Sequence, residues 1–190
     1  MAVLRICKYG EPILHKKMEP VDFALAKAKL PKIIDDMWET CVSVSGAGIS
    51  ACQVGLDMQL AVLVARQPDD SLKRIVIINP VIIAKTGKII AEEGCLSLPG
   101  LFADVERAEK IVIRALNEKG VPVEITASGF MAKLFQHEID HLSGAVFTDR
   151  VVPAEKTRVK QEIKRLKKHW AAIDESKKIP NYENGFPWDA

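Results

Sequence analysis

The 190-residue chain lacks the marks of several protein classes. Its four cysteines, Cys7, Cys41, Cys52 and Cys95, form no C-x-x-C pair. Single scattered thiols fit a reducing cytoplasm, where each serves as ligand, nucleophile or core filler rather than half a disulfide. No uncharged run approaches the ~20 residues of a membrane span. The opening "MAVLRICKYG" has neither a long apolar stretch nor a cleavage-site pattern, so no signal peptide is expected. A formal net charge of +2 gives no argument for binding DNA or another nucleic acid. No internal repeat or low-complexity segment stands out. What is present, 48% apolar and 27% charged residues, is the composition of a globular domain with a real core. We expect one folded unit over residues 1–172 and a polar tail over 173–190, apolar only at Phe186 and Trp188.

Residues 22–44 read as helical, with a break or restart at Pro31, a residue suited to a first helical turn. Ile33, Ile34, Met37, Cys41 and Val44 recur at helical spacing and mark a buried face, so Cys41 reads as core. Gly46 is expected to end this helix. Leu60–Ala65, Arg74–Asn79 and Lys110–Ala115 are strand-like runs of Val and Ile. Asn117-Glu118-Lys119-Gly120 is a turn signal before a partner strand at Val121–Thr126. Ser128 caps a helix that runs to about Leu142 and stops at Gly144. A last helix, from about Ala154 to Ala172, carries one thin apolar stripe of Val159, Ile163, Leu166 and Trp170. The fold class is therefore α+β: antiparallel strands packed around a central metal-binding helix, with an N-terminal and a C-terminal helix.

The metal enters through "FQHEIDHL", Phe135 to Leu142. H-E-x-x-H on a helix points two histidines the same way, with a glutamate beside them. Two ligands do not hold a catalytic ion, and the third is not where zinc proteases keep it. The extended pattern H-E-x-x-H-x-x-G-x-x-H would need a histidine at Phe147. Glu162, the alternative downstream carboxylate, sits among lysines on a solvated helix face. His15 and His169 lie in polar surroundings. Cys95, in "EEGCLSLPG", remains, and Gly94 beside it permits close backbone approach. One thiolate and two imidazoles make a three-ligand set with a position left for water. On spacing alone, Cys95 reads about equally well as a small buried hydrophobe.

Three stretches break that balance. "GAGISACQVG" (46–55), "EGCLSLPG" (93–100) and "QHEIDHLSG" (136–144) occur in this order. They resemble the signature motifs of peptide deformylases, G-φ-G-φ-A-A-x-Q, E-G-C-x-S and Q-H-E-x-D-H. The resemblance runs from "RICKYGEPIL" to the last helix and fades after about residue 173. One departure is Ser50, where the motif usually has alanine; we expect it to alter local packing and not the activity. Cys52 fills a free position of the motif; as a second cysteine near the site it is expected either to compete as a soft ligand or to pack, and we favour packing.

The resemblance implies a catalytic domain over 1–172 that hydrolyses the N-formyl group from formyl-methionine at the start of new polypeptides. It implies a divalent ion on Cys95, His137 and His141, ferrous iron in the cell, with Zn²⁺, Ni²⁺ or Co²⁺ as substitutes in purified protein. Glu138 would move the proton. Gln53 and the backbone N–H of Leu96 would receive the oxyanion. Glu93 and Arg107 are expected either as an ion pair bracing the cysteine loop or with Arg107 solvated. Asp140 is open between support and exposure. Phe130 and Leu134 share a helix face with the two histidines and are expected either to wall a methionine pocket or to pack in the core. Gly46 and Gly48 would let the substrate backbone add as a strand. The basic last helix, with Lys156, Arg158, Lys160, Lys164, Arg165, Lys167 and Lys168, is expected either to dock on the ribosome or simply to be solvated. Two rivals are a metallopeptidase with a cysteine ligand and a non-catalytic structural metal module; no fourth protein ligand is visible for the second.

Overall fold

The computed structural model describes residues 2–66, 69 and 71–172, with side chains through residue 168. The tail at 173–190, with Phe186 and Trp188, and the side chains of His169 and Trp170 lie outside the described residues.

The N-terminal helical region is split. Asp22 accepts hydrogen bonds from Ala24 N and Leu25 N and so caps a short helix α1, Phe23–Ala26. The chain restarts as α2, Leu30–Ser43, with Pro31 in its first turn, where a missing N–H costs nothing. The break falls just before Pro31. Helix α2 ends at Ser43, short of Gly46: Ser45 turns the chain with φ +54°, and Gly46 N then donates to Cys41 O at 2.8 Å.

Among the described residues seven strands follow, β1 (Gly48–Ser50), β2 (Leu60–Arg66), β3 (Leu72–Thr86), β4 (Ile89–Gly94), β5 (Phe102–Arg107), β6 (Lys110–Leu116) and β7 (Pro122–Ser128). Five form an antiparallel sheet in the order β1-β2-β3-β6-β7, while β4 and β5 pair separately. The Asn117 turn closes as expected, with Gly120 N donating to Asn117 O and Asn117 N to Val121 O, both at 2.9 Å.

Strand β2 shows how the layers stack. Successive side chains point to opposite faces. Leu60, Val62 and Val64 join the α2 stripe of Leu30, Ile34, Met37 and Cys41. Ala61 and Leu63 join the other core, with Ile111, Ile113, Ala132 and Phe135. The second group contains helix α3, Gly129–Leu142. The large sheet thus has α2 on one face and α3 on the other, and a strand covered on both faces is apolar throughout. Ser128 precedes α3 as expected, but its side chain makes no capping hydrogen bond. A third core joins the cysteine loop and β5 to the C-terminal part. Leu98, Leu101 and Val105 pack with Phe147 and with Val159 and Leu166 of helix α4, Lys156–Ala172.

Candidate metal centre

His137 and His141 stand one turn apart on α3, their ring centroids 5.0 Å from each other. Cys95 comes from a different layer, as the first residue after β4. Its Sγ lies 3.2 Å from His141 Nε2. The three residues are buried, and one ligand atom from each lies within 4.8 Å of the others.

The electrostatics of this cluster call for positive charge. Burial pushes the Cys95 thiol up, but the imidazoles of His141 and His137 outweigh it and hold Cys95 well below its ordinary value. Burial likewise disfavours protonated imidazole, yet the sulfur of Cys95 and the carboxylate of Glu93 raise His137 to about 9. His141 is raised as well, against burial, chiefly by Cys95. A thiol held down beside two imidazoles held up is a pairing of charges that a bound divalent cation would take over. His141 turns its Nε2 toward the sulfur of Cys95, which places that nitrogen to bind an ion. Sulfur and imidazole together suit a divalent transition metal.

The surroundings orient these ligands. His137 Nδ1 lies 2.9 Å from Glu93 Oε2, which leaves Nε2 for an ion. Arg107 donates to both oxygens of Glu93, Nε to Oε1 at 2.8 Å and a terminal nitrogen to Oε2 at 2.9 Å. Burial pushes the Glu93 carboxyl up, but the hydrogen bonds from Arg107 and His137 prevail and hold it at about 2. The pairing of Glu93 with a buried Arg107 therefore holds, and a solvated Arg107 does not. The other end of Arg107 reaches Asp140 Oδ2 at 2.5 Å, and Arg150 holds Asp140 from outside at 3.0 Å. Asp140 thus braces the histidine helix from behind.

Glu138 faces inward and is 2% exposed. Burial raises its carboxyl, partly offset by the two imidazoles and a hydrogen bond from Ser50. Ser50 Oγ donates to Glu138 Oε2 at 2.6 Å. Gln53, on a 3-10 turn at Ala51–Val54, has its oxygen fixed by Ser50 N at 2.8 Å. Its Nε2 then points at Cys95 Sγ at 3.4 Å and Ser97 Oγ at 3.3 Å. Ser97 N also donates to Cys95 Sγ, at 3.4 Å, and Lys8 Nζ donates to Leu96 O at 3.2 Å.

The glycines have specific neighbours. A Cβ on Gly48 would come within 2.6 Å of Glu138 Oε1. One on Gly46 would touch Cys41 Sγ and Leu96 Cδ1 at 3.0 Å, and one on Gly94 would meet the Phe102 ring at 2.6 Å. Leu134 is buried in the α3 core and Phe130 packs at its margin with Lys133 Nζ over its ring. Two candidates stay apart from the cluster: His15 is exposed and Glu162 pairs with Arg165. Cys52 packs with Leu14, Met18 and Leu142 and also touches the cluster, its Sγ donating to the backbone oxygen of His141 at 3.6 Å. The hydroxyl of Ser50 and the N–H of Ser97 escaped the sequence reading, because neither residue type signals such a contact by itself.

Residues 3–157 match the family described as polypeptide deformylase. A peptide deformylase of Elusimicrobium minutum is 51% identical over 176 residues, covering 90% of this chain and all of that protein. The crystal structure of a peptide deformylase from Legionella pneumophila superposes with a TM-score of 0.79 at 34% identity, covering 91% of this chain and 100% of that one. A class I type b peptide deformylase from Acinetobacter baumannii, solved with Met-Ala-Ser bound, superposes at 0.72 with 32% identity over 79% of this chain and 99% of that one. Matches of this extent, together with a buried Cys-His-His cluster between α3 and the β4 loop, establish that this chain belongs to the polypeptide deformylase family.

Proposed function

We propose that Cys95, His137 and His141 hold the catalytic divalent ion, and that Glu138, Gln53 and the N–H of Leu96 act on the formyl group. The family's activity is hydrolytic removal of the N-formyl group from new peptides. When bound, the ion supplies Lewis acidity that makes a water nucleophilic near neutral pH. Glu138 accepts the water proton and returns it to the departing amine, because an amide nitrogen leaves poorly unprotonated. Gln53 Nε2 and Leu96 N–H donate to the formyl oxygen as it gains charge; one such donor is typically worth ~3 kcal/mol of barrier. The observation that carries this reading is the placement of Glu138, buried between the two histidines and held at one oxygen.

Phe130 and Leu134, one and two turns before His137, wall the methionine side chain. The backbone at Gly46, Gly48 and Gly94 receives the peptide as an added strand. The Met-Ala-Ser complex of the Acinetobacter relative supports a substrate beginning with methionine. Iron(II) is the working ion of the chain in the cell, with Zn²⁺, Ni²⁺ or Co²⁺ taken up on handling. The catalytic domain is residues 1–172, followed by the 173–190 tail, and its place is the cytoplasm. Among the described residues no helix is long and apolar enough to cross a membrane. The last helix contacts the ribosome through Lys156, Lys160, Lys164 and Lys168, which are exposed. Arg158 and Arg165 are already paired with Glu155 and Glu162, and Lys167 lies over Tyr9.

The test is a paired assay on a formyl-Met-peptide and its unblocked form. Release of formate from the first and no cleavage of either chain is the expected result. Cleavage of the unblocked peptide would make the protein a peptidase.

A further inference from the structure

Strand β1 presents two residues of one face to Glu138. Gly48 and Ser50 are two apart, so they point the same way. At Gly48 there is no room for a Cβ beside Glu138 Oε1. At Ser50 the hydroxyl donates to Oε2 at 2.6 Å and lies 3.0 Å from the backbone oxygen of Glu138. Both partners are out of solvent, Ser50 at 0% and Glu138 at 2% exposure. Pairing of β1 with β2, Ser50 opposite Ala61, holds the hydroxyl in place. The backbone N–H of Ser50 separately fixes Gln53 Oε1. Among the described residues no protein donor reaches Glu138 Oε1.

From this geometry we infer that Ser50 is a positioning residue for Glu138, its hydroxyl pinning Oε2 so that Oε1 is the oxygen that carries the proton. This inference rests on the assignment of Glu138 as the proton carrier. The device is particular to chains with a hydroxyl here, since the motif this stretch resembles usually has alanine at that position. A glutamate has several rotatable bonds, and one that swings must be brought back before each proton transfer, a cost that appears in turnover and not in substrate binding. Ser50→Ala removes only the hydroxyl, because the bond to Gln53 uses the backbone.

The test uses the full chain loaded with one metal, as wild type, Ser50→Ala, Ser50→Thr, Glu138→Gln and the Ser50→Ala/Glu138→Gln pair. Elemental analysis should find one metal per chain in each. Ser50→Ala should lower kcat roughly tenfold with KM within about twofold, and Ser50→Thr should regain most of that loss. In the Glu138→Gln background the alanine should cost nothing further, since the two changes strike one unit. A crystal structure of metal-loaded Ser50→Ala should show the Glu138 carboxylate in more than one position. Unchanged kcat in Ser50→Ala beside a dead Glu138→Gln would overturn the inference and leave the Glu138 reading standing. So would an equal loss in both backgrounds. An active Glu138→Gln enzyme would instead overturn the Glu138 reading itself.

Discussion

Glu93 has a guanidinium on one side and an imidazole on the other, and is 5% exposed. Its charge is affordable only because both neighbours satisfy it. Arg107→Ala removes the larger partner and leaves a buried carboxylate, so it should cost about 3–5 kcal/mol, read from denaturant unfolding. Glu93→Gln keeps the shape but weakens the hold on His137, and should loosen metal binding about 10–100-fold in a competitive chelator titration. The same residue sets part of the acid response. Its carboxyl is held at about 2 against an ordinary 4.5, so as the pH falls the unfolded chain takes up this proton first. The stabilisation from Glu93 is complete above about pH 4.5 and is lost as the pH falls toward 2. Urea midpoints measured across that window should fall less steeply for Glu93→Gln than for the wild type; parallel curves would show that Glu93 does not contribute. These partners explain what was readable at this scale. The two histidines announce themselves by type and spacing, whereas Ser50 and Asp140 act through a hydroxyl and a carboxylate that any exposed loop also carries.

At the scale of elements, the long amphipathic pieces were legible and the short ones around the site were not. The stripes of α2 and α3 recur at helical spacing, and β2 is apolar over its first five residues because both its faces are covered. Strand β1 has only three residues, too few to show any period. Strand β5 does alternate, but its inward positions are Ala103, Val105 and Arg107, and a buried arginine hides the pattern. Strand β3 was expected to stop at Asn79 and continues through Pro80 to Thr86. The pairing with β6 shifts register between Ile78 and Val81, and at such a bulge a proline's missing N–H is tolerated. The end of α3 shows how an element is locked. Gly144 has φ +78°, a Cβ there would lie 2.8 Å from the backbone carbon of Lys16, and Met18 N donates to Leu142 O at 3.0 Å. Gly144→Ala meets both strain and a backbone clash, and should destabilise by about 1–3 kcal/mol in thermal unfolding. A substitution that melts like wild type would show that the N-terminal segment yields.

The molecule as a whole brings a loop from the small β4–β5 pair against a helix from the large sheet, and the cluster of Cys95, His137 and His141 lies at that junction. Cys95, 42 residues before His137 in the chain, is visible as a candidate third ligand only through the company it keeps, the Glu-Gly-Cys stretch and its distant partners. Metal identity is a property of the whole site. Zinc binds nitrogen and sulfur ligands more tightly than iron(II) on the divalent series, so occupancy follows availability. Iron beside Cys95 exposes the thiolate to oxidation. Anaerobic iron-loaded protein should therefore release formate faster than the zinc form and lose activity in air; zinc equalling iron without oxygen would contradict this assignment alone. Ribosome pelleting should be salt-sensitive and should weaken when Lys156, Lys160, Lys164 and Lys168 become glutamine. Unchanged pelleting would show that these lysines do not contact the ribosome. The central claim, that this chain deformylates peptides with Glu138 as proton carrier, is tested most directly by formate release from a formyl-Met-peptide, measured for wild type and Glu138→Gln at equal metal content. Formate from the wild type and a loss of about 10²–10⁴-fold in kcat for the variant are expected. Near-normal formate release by Glu138→Gln, or none by the metal-loaded wild type, would contradict that claim.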